Sequence, residues 1–173
     1  MASPLVIGIY LALQALPPAY GEQEDPNARD ARLADLAVAI DEAADSDDQT
    51  EAEELAAALV VEAWEETRLS VRVHRMGPRK DTRGYAISLW SLHSWTLVPR
   101  SEWLTLGGLE GTTRAAHAAA RVLRWTRARC GSWSGAFALY ATGRTCRWKG
   151  AAQREWQFRR VLRWMRSVNV VAE

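Results

Sequence analysis

Glu66 is the side chain in this sequence that is best placed to do chemistry. It ends a stretch rich in Ala and Glu, and Trp64 and Leu69 lie close to it on either side. A carboxyl group that is partly desolvated by such neighbours holds its proton closer to neutral pH. A general acid for cleavage of a glycosidic bond requires this property. We therefore predict that Glu66 is catalytic; the alternative is an exposed helix-end carboxylate paired with Arg68 or Arg72.

The helix that must carry Glu66 is strongly indicated by the sequence. Thr50 and Glu53 form the Thr-x-x-Glu pattern of a capping box, and acidic residues follow in the first turn, where the helix dipole favours them. Further along, residues at three- and four-residue spacing fall on one side of the helix: Leu55, Leu59, Glu62 and Glu66. The spacing predicts that Glu66 faces the rest of the protein.

Three stretches carry a resemblance to a known superfamily. They are Glu66-Thr67-Arg68-Leu69-Ser70, the apolar run from Gly84 to His93, and Ala138 to Gly143. Their order resembles that of lytic transglycosylases and goose-type lysozymes, in which a Glu-Ser pair, a Gly-Leu-Met-Gln type stretch and an Ala-Tyr-Asn-Ala-Gly type stretch follow one another. The resemblance spans residues 56–147 and implies a mainly α fold: one lysozyme-like helical domain with a small hairpin or irregular lobe.

The resemblance also implies substrate-binding residues. Tyr140 matches the family tyrosine near the catalytic glutamate. Trp90, on a segment that we expect to face Glu66, falls where the family has Met or Trp. Thr67 keeps a hydroxyl beside the acid. Ser91 replaces the family glutamine with a shorter group that cannot form the same hydrogen bonds, and Ala141 replaces a common asparagine.

The supply of acids favours one mechanism over another. A hydrolase with a carboxylate pair needs a second acid, and Asp81 is the only candidate near the predicted lobe; the other acids after Glu66 are Glu102, Glu110, Glu155 and Glu173. Lytic transglycosylases, as the resemblance implies, use one glutamate, and the sugar's own 6-hydroxyl completes the reaction. The implied substrate is the β-1,4 bond between MurNAc and GlcNAc in peptidoglycan glycan strands.

Charge is distributed unevenly along the chain. Residues 1–66 hold sixteen acids and two bases, whereas residues 67–173 hold twenty bases and five acids. One explanation is that acidic and basic helices pack together. The other is that the basic part attracts a polyanion such as cell wall, nucleic acid or anionic lipid.

Length and composition indicate one ordinary globular domain, because 173 residues with 48% hydrophobic and 25% charged side chains suffice for one core. Nine Trp residues serve either core packing or stacking on sugar rings. Cys130 and Cys146 either form a disulfide or remain two reduced thiols. His74, His93 and His117 are dispersed, so we expect neither a metal site nor a cofactor.

The N-terminal segment, residues 1–21, is apolar and is followed by the predicted domain, residues 22–173. The segment is an export signal, a core or interface helix or, less favoured, a membrane anchor. We expect no stable membrane span, because the apolar run is too short. With the resemblance, this points to the periplasm, the cell envelope or a virion as the location.

Several local structures are predicted from the remaining sequence. Pro26 behind Asp25 starts a helix, Val71 and Val73 alternate with polar residues as in a strand, and residues 84–95 form a short helix or strand. Three later helices are predicted. The first is capped by Thr112 or Thr113, runs through Arg129 and is stopped by Gly131, and the second is capped by Ser134 and ends at Gly143. The third covers residues 151–168, and five arginines lie outside its apolar stripe: Arg154, Arg159, Arg160, Arg163 and Arg166.

Two functions from other classes remain open. The first is a catalytically inactive lysozyme-like protein that assembles with virion, tail or envelope proteins. The second is a helical nucleic-acid binder; no recognition motif accompanies the arginines, so no specific nucleic acid is expected.

Overall fold

The computed structural model describes residues 3–81, 84–93 and 99–169, and it confirms a mainly α single domain with a small hairpin lobe. Eight α-helices are present in the described part: α1 (Pro4–Ala15), α2 (Pro26–Ala44), α3 (Gln49–Thr67), α4 (Val71–Arg75), α5 (Arg100–Trp103), α6 (Thr112–Cys130), α7 (Trp133–Thr142) and α8 (Ala151–Asn169). Two 3₁₀ turns, Leu104–Leu106 and Leu109–Gly111, connect α5 to α6.

The N-terminal apolar segment is a core helix in this structure. Ser3 caps α1 by accepting a hydrogen bond from the Val6 amide, and Ile9 and Leu13 are fully buried. At Gly8, an added Cβ would lie 3.0 Å from the carbonyl oxygen of Met165 in α8, so glycine permits the close helix crossing. No helix in the described residues is long and apolar enough to cross a membrane.

The acid-bearing helix α3 occupies the centre of the fold and packs against α2, α6 and α8. Its N-cap is Asp48, whose carboxylate accepts hydrogen bonds from the amides of Thr50 and Glu51. The predicted cap at Thr50 was therefore wrong, because a better acceptor lies two residues earlier. The predicted buried stripe is confirmed: Leu55, Leu59 and Glu62 are buried.

The segment that follows α3 is helical where the sequence predicted a strand. Ser70 caps α4 by accepting from the Val73 amide, while the Glu22 carboxylate accepts from the Ser70 hydroxyl and from the Val71 amide. Glu22 lies far away in the chain, so alternation at Val71 and Val73 carried no information about this tertiary cap.

The lobe is a three-stranded antiparallel sheet in the order β1 (Arg79–Asp81), β2 (Gly84–Ile87), β3 (Leu92–His93). Arg79 pairs with Ala86, and Ala86 pairs on its other side with His93. Residues 84–93 thus form two strands joined by a turn, and residues 94 and 95 of that prediction lie outside the described residues.

The C-terminal helices have the predicted ends but different caps. Gly131 and Gly143 end α6 and α7 in the left-handed conformation, as predicted. Gly111, not Thr112 or Thr113, precedes α6, and Ser132, not Ser134, caps α7 by accepting from the Gly135 amide. In α8 the predicted apolar stripe of Phe158, Val161, Leu162 and Met165 is buried in the shared core.

Candidate functional site

Glu66 lies in the last turn of α3, where the chain reverses sharply toward the hairpin. Its side chain is 11% exposed. The next residues, Arg68 and Leu69, have φ values of 54° and 55°. Ser88 and Ser91 in the hairpin turn are the other two non-glycine residues with positive φ in the described part of the chain. Such conformations cost about 1–3 kcal/mol each and cluster at functional sites.

Arg154 of α8 is the charged partner of Glu66. Its Nη2 donates to Glu66 Oε1 over 2.9 Å, and its Nη1 donates to the Glu62 carboxylate. Arg154 is 7% exposed, and its guanidinium carbon lies 5.5 Å from the centre of the Trp148 ring. The buried cluster formed by Glu62, Glu66 and Arg154, called here the acid cluster, therefore joins α3 to α8.

Arg154 was predicted to lie outside the apolar stripe of the last helix, and that prediction was wrong, because Arg154 is buried. A signal was nevertheless present, because Arg154 lies four residues before Phe158 and therefore on the same buried stripe of α8. The stripe shows that the position faces inward, but only the tertiary structure supplies the two carboxylates that make a buried guanidinium acceptable.

The acid cluster contains more acid than base. Burial raises the pKa of Glu62 to about 8; the Arg154 charge opposes this rise, and the carboxylates of Glu66 and Glu65 add to it. Burial disfavours the charged form of Arg154, but the surrounding carboxylates outweigh this and raise its pKa. Oε1 of Glu62 is buried without a hydrogen-bond partner, and a neutral carboxyl tolerates this better than an ionised one. The cluster therefore holds a proton near neutral pH.

The aromatic neighbours predicted for Glu66 are engaged in other contacts. Trp64 stacks with the Arg68 guanidinium at 3.7 Å from the ring centre and donates its indole N–H to the Pro17 carbonyl. The carboxylate of Glu66 meets the Arg154 guanidinium, in contrast to the apolar surroundings that the sequence suggested.

Trp90 and Tyr140 come together, and both are linked to α3. The buried Trp90 indole donates to the Leu59 carbonyl over 2.9 Å, and the Tyr140 hydroxyl donates to the Trp90 carbonyl over 2.8 Å. These two hydrogen bonds connect α3, the hairpin turn and α7, since Leu59 lies 31 residues before Trp90 and Tyr140 lies 50 residues after it.

The remaining predicted site residues have individual roles in the structure. Thr67 donates its hydroxyl to the Ala63 carbonyl within α3, over 2.8 Å. Ser91 Oγ accepts from Arg79 Nη2 at 2.6 Å, which fixes the hairpin turn to β1. Asp81 ends β1 opposite Gly84, and its side chain lies outside the described residues.

Cys130 and Cys146 form a disulfide with a Cα–Cα distance of 5.6 Å. The bond ties the end of α6 to the loop between α7 and α8. Among the described residues, no group of three or more His, Cys, Asp or Glu side chains could hold a metal ion.

A second buried ionic network, called here the histidine network, lies between α2, α4 and the start of α6. Glu24 and Arg32 form an ion pair of 2.7 Å, Arg32 Nη1 lies 3.4 Å from His74 Nδ1, and His74 Nε2 lies 2.7 Å from Thr112 Oγ1. Thr112 donates its proton to the Leu109 carbonyl, so His74 Nε2 must be the donor to Thr112 and Nδ1 the acceptor from Arg32. The network borders a cavity of about 490 Å³.

Part of the charge asymmetry is neutralised within the molecule. Bases of the C-terminal part pair with acids of the N-terminal part in Arg154–Glu62, Arg154–Glu66, Arg166–Glu53 and Arg124–Glu51. The explanation by packing of acidic against basic helices therefore holds for these residues.

Comparison with protein-family models, with curated proteins and with solved structures gives no match for this chain.

Proposed function

We propose that this protein cleaves peptidoglycan glycan strands at the β-1,4 bond between MurNAc and GlcNAc, with Glu66 as general acid and base. The observation that carries the proposal is the acid cluster at the end of α3. It is largely buried, it has an excess of carboxyl groups, and it lies where the backbone is strained between α3 and the hairpin. These are features of a site that delivers a proton.

The hydrogen bonds among Leu59, Trp90 and Tyr140 support the same proposal. In a lysozyme-like enzyme the hairpin forms one wall of the sugar-binding cleft, and the tyrosine lies near the acid. Here the hairpin turn is fixed to α3 on one side and to α7 on the other. The three elements that must position a glycan are thereby held together.

A transglycosylase fits the described acids better than a two-carboxylate hydrolase. After Glu66, Glu102 pairs with Arg121 and Glu155 pairs with Arg159, so both contribute to ion pairs elsewhere. In the proposed reaction Glu66 protonates the leaving oxygen and then accepts a proton from the sugar 6-hydroxyl as it attacks. One carboxyl group performs both steps.

Within this proposal Glu62 and Arg154 position and tune Glu66. Glu62 is fully buried, so it cannot touch a sugar, whereas Glu66 is the partly exposed member of the cluster. Arg154 donates to both carboxylates and so holds Glu66 beside Glu62. Burial raises the pKa of Glu62 to about 8, so the cluster keeps a proton next to Glu66.

The test is turnover of purified peptidoglycan with mass-spectrometric product analysis. We expect 1,6-anhydro products from the wild type and none from Glu66→Gln. Glu65→Gln is the matched control, because Glu65 is adjacent, similarly buried and paired with a different arginine, Arg68. Products with free reducing ends would replace the transglycosylase assignment by a muramidase, and equal turnover by Glu66→Gln would remove Glu66 from the site.

A second candidate is a catalytically inactive lysozyme-like protein that assembles with virion or envelope proteins. The Arg154 contact favours it, since it engages Oε1 of Glu66 within the molecule, as does Ser91, which is bonded to Arg79 where the family has glutamine. This candidate predicts no turnover by the wild type under any condition.

The disulfide favours an extracytoplasmic or virion location for either function.

A further inference from the structure

The outer face of α8 carries indole and guanidinium groups and no acid. Its members recur at helical spacing opposite the buried stripe; we call them the Trp-Arg face, and they are Trp156, Arg160, Arg163, Trp164 and Ser167. Trp156 is 54% exposed, the largest exposed fraction of any tryptophan among the described residues. The half-buried Trp164 lies on the same side of α8, so two indoles and two arginines share one surface.

The two arginines on this face have no carboxylate partner among the described residues. Three arginines of α8 have carboxylate partners: Arg154, Arg159 and Arg166. Arg160 and Arg163, by contrast, form no ion pair with any described residue. The loop before α8 adds Arg144, Arg147 and Lys149, all exposed and likewise without a carboxylate partner in the described part of the chain.

Arg160 is held between two indoles. Its guanidinium carbon lies 4.3 Å from the centre of the Trp164 ring and 5.5 Å from that of Trp156. Cation–π contacts of this kind restrict the guanidinium to a position between the two rings. The face therefore presents a positive charge bracketed by amphipathic rings.

We propose that the Trp-Arg face binds the surface of an anionic lipid bilayer, with α8 lying parallel to the membrane. Indole rings favour the headgroup region, where their apolar body and N–H are both accommodated, and arginines bind lipid phosphates. The face is the convex side of a helix, which suits a planar surface. Single-stranded nucleic acid is instead bound in grooves that follow its backbone, so lipid is favoured over a polynucleotide.

The experiment is cosedimentation of the full chain with vesicles of phosphatidylcholine alone and of phosphatidylcholine mixed with phosphatidylglycerol, at low and high salt. We expect binding to the anionic vesicles only, weakened by salt. Each arginine near an anionic surface contributes about fivefold in affinity. Arg160→Gln/Arg163→Gln should therefore bind about 25-fold more weakly and depend less on salt.

Two further variants separate the role of the face from that of net charge. Trp156→Phe should weaken vesicle binding without changing its salt dependence, because it alters the indole and leaves every charge in place. Arg72→Gln/Arg75→Gln removes the same charge from α4 and should bind like the wild type. Circular dichroism verifies that each variant is folded.

Three outcomes would overturn the proposal. The first is equal binding to neutral and anionic vesicles. The second is the same loss of vesicle affinity in the α4 control as in the α8 variant. The third is displacement of the protein from vesicles by a short single-stranded DNA, which would assign the face to nucleic acid. None of these outcomes bears on peptidoglycan turnover, so the lipid surface and the proposed enzymatic activity succeed or fail separately.

Discussion

The acid cluster and the histidine network are both buried, both contain an arginine and both join helices that are distant in sequence, yet their charges are balanced differently. In the histidine network one carboxylate, Glu24, meets one guanidinium, Arg32, at 2.7 Å. In the acid cluster Arg154 faces Glu62 and Glu66, with Glu65 adding to the negative potential. One network is neutral and the other has acid in excess.

Burial is the largest cause of the pKa shift in both networks, and the neighbouring charges modify it. Beside the Arg32–Glu24 pair, burial and the Arg32 charge together lower the pKa of His74 to about 4, so His74 is neutral and serves as a structural hydrogen-bond link. In the acid cluster burial raises the pKa of Glu62 to about 8; the Arg154 charge opposes this rise, and the carboxylates of Glu66 and Glu65 add to it. Burial favours the neutral form in both networks, so it does not distinguish them; the excess of carboxyl groups around Arg154 does.

The sharpest test of the comparison is at Glu66. Glu66→Gln is close to isosteric, and we expect it to reduce peptidoglycan cleavage by about 10²–10⁴-fold, the usual contribution of a general acid or base. The helical circular dichroism signal should be retained. His74→Gln, the corresponding change in the histidine network, should leave turnover unchanged in protein that remains folded.

Removal of Arg154 should produce the largest loss of stability. Arg154→Met leaves Glu62 and Glu66 without their guanidinium, and breaking a buried ionic contact in this way costs about 3–5 kcal/mol. Urea unfolding measures the loss. Glu62→Gln in the Arg154→Met background should recover much of the lost free energy of unfolding, because it removes one of the two carboxylates. If the double variant is no more stable than Arg154→Met, the lost packing of the Arg154 side chain matters more than its charge.

The acid cluster should make the protein less stable as pH rises. The Glu62 pKa lies above its value of 4.5 for an unperturbed carboxyl, so the folded state holds the proton more tightly between 4.5 and about 8. The stabilisation is complete below pH 4.5 and is lost toward pH 8, with a slope of up to about 1.4 kcal/mol per pH unit. Glu62→Gln should flatten this part of the urea stability profile, and an unchanged slope would contradict the raised pKa.

The histidine network should show the opposite sign. The His74 pKa lies below its ordinary 6.5, so the folded state favours the neutral ring; its stabilisation is present above pH 6.5 and is lost as pH falls toward 4. His74→Gln should remove the loss of stability between pH 6.5 and about 4, whereas Glu62→Gln should remove the loss between pH 4.5 and about 8. Where the two ranges overlap, the two variants should change the slope of the profile in opposite directions, and a change of the same sign would contradict the distinction between the networks.

Local features of this sequence were predictable because the residues that decide them are close together. Asp25 and Pro26 start α2, and Gly131 and Gly143 end α6 and α7 as the sequence indicated. The prediction at Val71 was wrong because its decisive partner, Glu22, lies 49 residues away. Neighbouring residues cannot reveal a cap supplied from another part of the fold.

By itself, then, the sequence determined the mainly α fold, the buried side of α3 that carries Glu62 and Glu66, and the candidate positions at Trp90 and Tyr140. Only the tertiary structure decided that Arg154 is buried, because its partners Glu62 and Glu66 lie 92 and 88 residues earlier. Periodicity reports which side of a helix is buried. The proton affinity of a carboxyl depends on which charges the fold brings to it, and helix packing sets those.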